Sequence, residues 1–290
     1  MKWTRGSVSG NIEDRRFGGA AGGGGRRGRK MGIGAAILAA VLGTTQADRI
    51  QQFAGGGGKA APSAAPAAAA PATDPEKVQV EFMSFVLDDI QATWRTVLPE
   101  RMEMPYRDAK LVLYRDKTTS ACGNADAGMG PFYCSGDERV FLDLSFFQVL
   151  HRNFGAAGDY AQAYVIAHEL GHHVQAITGM TTKVARLQQR DPTRANDASV
   201  RLELQADCYA GVWAHSTARR ELLQQGDVEE ALRAAAVVGD DYLQKAAGQQ
   251  VKPETFTHGT SEQRVTWFRR GLDSGDPRQC NTFASKAALK

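Results

Sequence analysis

The sequence predicts an α+β fold that is mostly helical and contains a small sheet. Two observations support this prediction. After residue 74 the chain has several long segments in which apolar residues recur at helical spacing, and two short segments have the apolar, β-branched composition of strands. Residues 74–290 have the size of one ordinary domain. The residues before them have a composition that is not that of a packed domain.

Residues 1–30 form a basic leader rich in glycine and arginine, which we predict to be disordered. The leader contains eight lysine or arginine residues and only two acidic ones. Such a segment can bind nucleic acid. An apolar run follows it at once, however, so a role in membrane orientation is favoured, and nucleic acid is not expected as a partner. The net charge of the whole chain, +3, is too small to indicate a class of partner.

Residues 31–47 carry no charged side chain and predict a signal anchor or the core of a signal peptide. Their apolar part is shorter than the usual span of about 20 residues, and a cleavage point after Ala47 is an alternative. Because the leader is long for a cleaved signal, an uncleaved single-pass anchor in the membrane is favoured. Basic residues before a span stay in the cytoplasm, which would place the rest of the chain outside. Residues 48–73, rich in Gly, Ala and Pro, predict a linker.

The domain is expected to alternate between helices and short strands. The predicted elements are a helix over 76–97, strands over 110–115 and 140–144, a short helix over 145–152, a helix around 163–175, a helix over 196–219 and an amphipathic helix after residue 258. Residues 180–197 are polar and contain Pro192, which predicts a mobile loop or a helix-loop insertion. One of the two strands is expected to be a sheet edge that pairs with extended substrate, but the pattern does not tell which.

The helix around 163–175 contains the pattern His-Glu-x-x-His, starting at His168. His168 and His172 are four residues apart and therefore lie on one helix face, where both imidazoles can bind one Zn²⁺. Glu169 is turned about 100° away and can act as general base on a metal-bound water. The alternative is an amphipathic helix with polar surface histidines, but apolar residues surround the pattern, and buried imidazoles need partners. Gly171 is costly inside a helix, so we expect a close approach of another backbone or of the metal site there.

A third zinc ligand is predicted on the helix over 196–219. Catalytic zinc usually has three protein ligands and an open position for water. Glu203 would be the third ligand, and Asp207, one turn on, would accept a hydrogen bond from a ligand histidine and fix its tautomer. Two carboxylates four apart are more often a solvated helix face. Their place on an apolar helix after the histidine pattern favours the metal site.

His258 is a candidate catalytic residue of a second kind. It stands just before the last amphipathic helix, in a stretch that also contains Arg264. A zinc peptidase needs a donor for the oxyanion of its tetrahedral intermediate, and His258, a tyrosine or Arg264 can supply it. The alternative, equally weighted, is that His258 caps the start of the helix.

The four cysteines predict two disulfides if the domain is exported. Cys122 and Cys134 bracket a short Gly-rich loop and form the more evident pair, which leaves Cys208 with Cys280. Closure of the short loop would stabilise the fold by about 3 kcal/mol in the chain-entropy model. Four reduced thiols in a cytosolic enzyme are the alternative.

The chain contains several motifs in a fixed order, and through them it resembles the bacterial family of putative neutral zinc metallopeptidases (YpfJ-like). The matching residues are Asn11 to Arg16, Ala121 to Gly123, Gly130 to Cys134, His168 to His173, Glu203 to Cys208 and His258 to Arg264. The resemblance implies a zincin-like fold and a zinc site in a bacterial envelope protein, without implying a substrate.

These patterns together predict a zinc-dependent endopeptidase with one Zn²⁺ per chain and a protein or peptide substrate. The expected location is the periplasmic side of the inner membrane, with the catalytic domain outside the cytoplasm. Two alternatives remain at this point: a zinc amidase that acts on a cell-wall crosslink, and a non-catalytic zinc-binding envelope protein.

Overall fold

A computed structural model describes residues 1–18 and 74–284. Its α-helices are α1 (Lys77–Met102), α2 (Ser145–Phe154), α3 (Asp159–Ile177), α4 (Met180–Arg190), α5 (Ala195–Arg219), α6 (Asp227–Val237), α7 (Asp240–Ala246) and α8 (Ser261–Ser274). Its strands are β1 (Ile12–Asp14), β2 (Lys110–Tyr114), β3 (Lys117–Ser120), β4 (Gly123–Asp126), β5 (Phe132–Cys134) and β6 (Arg139–Asp143). The predicted α+β class, mostly helical with a small sheet, is confirmed.

The main sheet has four strands in the order β1-β2-β6-β5. β1, β2 and β6 run parallel, and β5 is antiparallel to β6. β3 and β4 form a separate hairpin. The two strands predicted from the sequence are β2 and β6. Both lie inside the sheet, so the expectation that one of them is the edge is wrong; β5 and β1 are the edges.

The prediction of a disordered leader over residues 1–30 is wrong for its first part. β1 pairs with β2, and Arg16, with a side chain only 1% exposed, forms ion pairs with Asp14, Asp74 and Glu76. Backbone pairing and a buried, fully partnered guanidinium outweigh the Gly/Arg composition from which disorder was predicted.

The remaining leader residues, the predicted anchor at 31–47 and the predicted linker at 48–73 lie outside the described residues. Within the two described ranges, none of the helices has the length and apolar character needed to cross a membrane. Both predicted disulfides, Cys122–Cys134 and Cys208–Cys280, are formed.

Helix α3 is the centre of the helical part, because it is buried along nearly its whole length and packs against α5 and α6. α5 in turn packs closely against α8, where Gly211 faces Gly271. An added Cβ at Gly211 would lie 2.0 Å from the carbonyl oxygen of Phe268, and one at Gly271 would lie 1.9 Å from that of Cys208. The two glycines therefore let α8 approach α5 at backbone contact. Arg264, in the first turn of α8, reaches His168 on α3, with Nη2 3.3 Å from Nδ1.

Candidate metal centre

Helices α3 and α5 bring the three predicted metal ligands together. His168 and His172 project from one face of α3, and Glu203 projects from α5. Their ligand atoms all lie within 4.8 Å of one another. Nε2 of His168 is 3.2 Å from Oε2 of Glu203, and Nε2 of His172 is 3.5 Å from Oε1. The donor set of two imidazoles and one carboxylate is that of a catalytic zinc site.

Two of these atoms are buried without a hydrogen-bond partner: Nε2 of His168 and Oε2 of Glu203. Buried polar atoms are nearly always bonded. The other nitrogen of each imidazole already has a partner, because Nδ1 of His168 lies 2.8 Å from Asp207 and Nδ1 of His172 lies 2.9 Å from Oε1 of Gln175. Each ring is thus held with its Nε2 lone pair towards Glu203, and the residues fit a zinc ion.

Asp207 belongs to a buried network that orients His168. Its Oδ1 accepts hydrogen bonds from the Tyr164 hydroxyl (2.6 Å) and from Nη2 of Arg264 (2.9 Å), and its Oδ2 accepts one from Nε of Arg264 (2.8 Å). Burial alone would raise the pKa of Asp207, but the charges of Arg264 and His168 lower it below its usual value. Asp207 therefore stays ionised and lies where it can accept a hydrogen bond from Nδ1 of His168.

The pKa of the Glu203 carboxyl is also held well below its usual value. Burial alone would raise it, but the neighbouring His172, His168 and His258 lower it more. The carboxylate is therefore in the form that binds a metal.

Glu169 is buried next to the ligands. Burial raises the pKa of its carboxyl, and the nearby His172 and His168 oppose this only in part. A raised pKa brings a carboxylate closer to the range in which it can both take up and return a proton near neutral pH.

Gly171 lies where α3 crosses α5. An added Cβ would be 2.9 Å from the carbonyl oxygen of Ala206 and 3.0 Å from its Cα. The expected close approach of another backbone is therefore confirmed, and this approach sets the distance between the histidines and Glu203.

His258 does not cap the last helix. The N-cap of α8 is Thr260, which forms a capping box with Gln263. Nδ1 of His258 instead lies 3.0 Å from Oδ1 of Asp240. His258 also lowers the pKa of the Glu203 carboxyl, after the larger effects of His172 and His168.

Asp240 holds the loop that carries His258. Its Oδ2 accepts backbone N–H bonds from Thr257, His258 and Gly259 at 2.7, 2.6 and 3.0 Å. Burial alone would raise the pKa of Asp240, but the His258 side chain and the backbone N–H bonds of His258 and Thr257 lower it. Asp240 could not be predicted from the sequence, because it begins a separate helix and no local spacing links it to His258.

Gln175 was not predicted either, although it stands three residues after His172 and so on the same face of α3. That spacing could have identified it from the sequence.

His173 is not a ligand: its two ring nitrogens lie 3.0 Å from the Tyr133 hydroxyl and 2.7 Å from the carbonyl oxygen of Arg107. Through Tyr133, His173 joins α3 to the edge strand β5.

Comparison with known proteins identifies one matching family. The family model described as "putative neutral zinc metallopeptidase" matches residues 1–283. The chain is 51% identical over 209 residues to the uncharacterized protein YpfJ of Escherichia coli, covering 72% of each chain. It is 40% identical over 209 residues to an uncharacterized protein of Mycobacterium bovis and to one of Mycobacterium tuberculosis, covering 68% of each. No solved structure gives a significant match.

Proposed function

The chain belongs to the family of putative neutral zinc metallopeptidases, and we propose that it is a zincin-type endopeptidase whose general base is Glu169. The proposal rests on three ligand atoms that converge from α3 and α5. Two of these atoms are buried without a hydrogen-bond partner. Beside them lies the buried carboxyl of Glu169, whose pKa is raised.

His168, His172 and Glu203 would hold one zinc ion. When bound, zinc acts as a Lewis acid: it polarises the scissile carbonyl and lowers the pKa of a water molecule towards about 7. Asp207 keeps the ring of His168 oriented, and Gln175 does the same for His172.

Glu169 performs the proton transfers. It removes a proton from the attacking water and later delivers a proton to the leaving amine. Burial assists the first step, because a carboxylate of raised pKa is a stronger base than an exposed one.

His258 is proposed as the hydrogen-bond donor to the oxyanion of the tetrahedral intermediate. Asp240 engages Nδ1 and three backbone N–H groups of the loop, which leaves Nε2 for the substrate and fixes the ring. Asp240 is thus a positioning residue for His258.

We place the domain outside the cytoplasm and take a protein or peptide as its substrate. The two disulfides support that location, because such bonds persist in oxidising compartments. The edge strand β5, next to α3, supports an extended peptide, because peptides commonly add to a free sheet edge.

The test compares zinc content and peptide hydrolysis in the wild type, Glu169→Gln and Glu203→Ala. We expect Glu169→Gln to keep its zinc and to lose activity by about 10²–10⁴-fold, the usual contribution of a general base. Glu203→Ala should lose zinc. Glu100→Gln, on the exposed side of α1, is the matched control and should change neither.

Four results would contradict the proposal. Zinc loss in Glu169→Gln would give that residue another role, and unchanged zinc affinity in Glu203→Ala would remove it from the ligand set. Stoichiometric zinc without hydrolysis of casein or any peptide, but with cleavage of peptidoglycan crosslinks, would make the protein an amidase; no hydrolysis of either would make it a binding protein.

A further inference from the structure

Residues 1–18 are joined to the rest of the domain by backbone pairing. β1 lies parallel to β2, with Ile12 opposite Leu111. Further backbone bonds flank this pair: the N–H of Leu111 donates to the carbonyl oxygen of Asn11 (2.9 Å), and the N–H of Arg15 donates to that of Leu113 (2.7 Å). β2 lies between β1 and β6 in the main sheet. Without residues 1–18, β2 would lose its partner on one side and become a sheet edge.

Apolar side chains of the same segment are part of the core. The side chain of Met1 is buried in the main hydrophobic cluster of the domain. The ring of Trp3 packs on α1, with its centroid 5.2 Å from that of Phe82 and 6.4 Å from that of Phe85. Aromatic side chains contribute strongly to a core, because each buries a large apolar area. Residues 1–18 therefore help to form the core of the domain.

Polar contacts fix the segment along one face of α1. Nε of Arg5 donates a hydrogen bond to Glu81 (2.6 Å). The backbone N–H of Ser9 donates to the hydroxyl of Ser84 (2.5 Å), and the hydroxyl of Ser9 donates to Asp88 (2.6 Å). The three partners on α1 are spaced three and four residues apart, so they lie on the same side of the helix. The segment before β1 thus follows α1 over two turns.

Arg16 joins the segment to the start of α1. Its side chain is 1% exposed and forms ion pairs with Asp74 (2.7 Å) and Glu76 (2.8 Å). A buried charge is stable only when it is paired and hydrogen-bonded. Asp74 is the first described residue after position 18. The two described ranges of the chain therefore meet in one ion-pair network.

A single membrane crossing between residues 18 and 74 is incompatible with these contacts. Such a crossing would hold β1 and β2 on opposite sides of a hydrocarbon core about 30 Å thick, whereas paired strands are about 4.8 Å apart. Pairing with a second copy meets the same obstacle, because every copy would have its β1 and its β2 on opposite sides. Cleavage after Ala47 would remove β1 from the mature chain altogether.

We infer that residues 1–18 stay in the mature protein and lie on the same side of any membrane as residues 74–284, as a strand of the folded domain. This layout replaces the predicted one, in which the N-terminus is cytoplasmic and the domain is external. The inference depends on the contacts of residues 1–18 and not on the proposed peptidase function. If the domain lies outside the cytoplasm, as proposed above, residues 1–18 lie there too.

The first test labels Val8→Cys and Val78→Cys in the full chain expressed in bacteria. The two valines are similarly exposed, at 50% and 48%, and stand before and after residues 19–73. A membrane-impermeant maleimide is applied to spheroplasts and, as the control, to lysed cells. The unsubstituted chain gives the background from the four native cysteines. We expect the two introduced cysteines to be labelled alike in spheroplasts, both reactive or both protected, and both to be labelled after lysis.

Two results of this experiment would overturn the inference. One is labelling of one position in spheroplasts and of the other only after lysis, which is the pattern of a single crossing. The other is an intact mass of the purified protein that lacks residues 1–47, which would show that the segment is cleaved off.

The second test measures proximity in unbroken cells. Ser9→Cys/Asp88→Cys places two thiols where the wild-type side chains are hydrogen-bonded, and a short membrane-permeant bis-maleimide links thiols in either compartment. The matched control is Ser9→Cys/Glu100→Cys. Glu100 is also exposed on α1 but stands 12 residues after Asp88, about 18 Å further along the helix. Mass spectrometry of tryptic digests detects the linked peptides.

We expect the linked peptides from Ser9→Cys/Asp88→Cys at a yield at least about 10-fold above that of the control pair. No link in unbroken cells, or equal yields from the two pairs, would overturn the placement of residues 1–18 against α1. Either result would leave zinc binding and peptide hydrolysis by the purified protein to be judged separately, so the failure of this inference is distinguishable from that of the proposed function.

Discussion

Arg264 holds the most deeply buried positive charge of the metal centre. Its side chain is 0% exposed and bonds both carboxylate oxygens of Asp207, and Nη1 lies 4.0 Å from Glu203. A buried carboxylate is stable only when it is paired and hydrogen-bonded. Arg264 therefore lets Asp207 remain ionised, and through Asp207 it fixes the ring of His168.

Replacing Arg264 by methionine should destabilise the fold by about 3–5 kcal/mol, because Asp207 would keep a buried charge without its partner. Urea unfolding of the metal-free protein with its disulfides intact measures the change. Arg278→Met is the matched control: Arg278 pairs with Asp276 but is 59% exposed, so its loss should alter the free energy of unfolding by no more than about 0.5 kcal/mol. Equal effects of the two substitutions would show that Asp207 does not need the charge of Arg264.

Gly171 sets the spacing between the two helices that carry the ligands. Gly171→Ala would gain about 1 kcal/mol of helix propensity, but overpacking usually costs about 1–3 kcal/mol, since the new Cβ meets backbone atoms of Ala206. We expect a net loss of stability of up to about 2 kcal/mol and weaker zinc binding, measured by competition with a chelating dye. Gly10→Ala, where a Cβ meets nothing within 4 Å, should change neither. Wild-type zinc affinity in Gly171→Ala would mean that α3 and α5 can separate without disturbing the ligands.

At the level of elements, β1 and the start of α1 are joined by Arg16, so we expect Arg16→Met to destabilise the domain in a pH-dependent way. Burial alone would raise the pKa of Asp74, but the hydrogen bonds from Arg16 and from the backbone of Glu76 lower it. When the pKa of a carboxyl is lower in the folded than in the unfolded protein, the carboxyl stabilises the fold at pH values above its unfolded pKa, which is about 3.9 for aspartate. This stabilisation is lost as the pH falls through the pKa of the folded state. The difference in free energy of unfolding between wild type and Arg16→Met should therefore be largest near pH 7 and shrink below about pH 4.

Urea titrations between pH 7 and pH 3 measure this difference. Arg186→Met, an exposed arginine on α4, serves as the control and should show a small difference at every pH. A difference for Arg16→Met that stays constant down to pH 3 would show that the Asp74 carboxylate is not the group that Arg16 stabilises.

The sequence predicts well those elements that are long enough for the spacing of their apolar residues to show a helical or strand period. α3, α5 and α8 each repeat their apolar pattern over several turns, and the ligands were found because they share faces of these helices. β1 and β5 have three residues each, too few for a pattern to be distinguished from a loop. Their identity as strands comes from pairing with β2 and β6, which are distant in sequence. Asp240 escaped prediction for the same reason, because only the fold brings it to His258.

At the level of the whole molecule, the C-terminal segment supports the metal centre from behind. Cys280 is bonded to Cys208, the residue after Asp207. The carbonyl oxygen of Cys280 accepts a hydrogen bond from Gln205 (3.0 Å), Gln205 accepts one from Gln175 (3.2 Å), and Gln175 holds His172. One disulfide thus connects the end of the chain to a metal ligand through two buried glutamines.

The two disulfides should therefore differ in their contribution to stability and to zinc binding. Cys208–Cys280 closes a separation of 72 residues and Cys122–Cys134 one of 12. In the chain-entropy model the ratio of loop lengths makes the longer closure worth about 1.6 kcal/mol more. We expect the double variant Cys208→Ala/Cys280→Ala to lose at least about 1.6 kcal/mol more free energy of unfolding than Cys122→Ala/Cys134→Ala. Urea unfolding of the metal-free proteins measures this difference.

Only Cys208→Ala/Cys280→Ala should also bind zinc more weakly, because only the Cys208–Cys280 disulfide reaches His172 through Gln205 and Gln175. Equal losses of stability and unchanged zinc affinity in both variants would show that the C-terminal segment keeps its place, and the glutamines keep theirs, without the covalent bond.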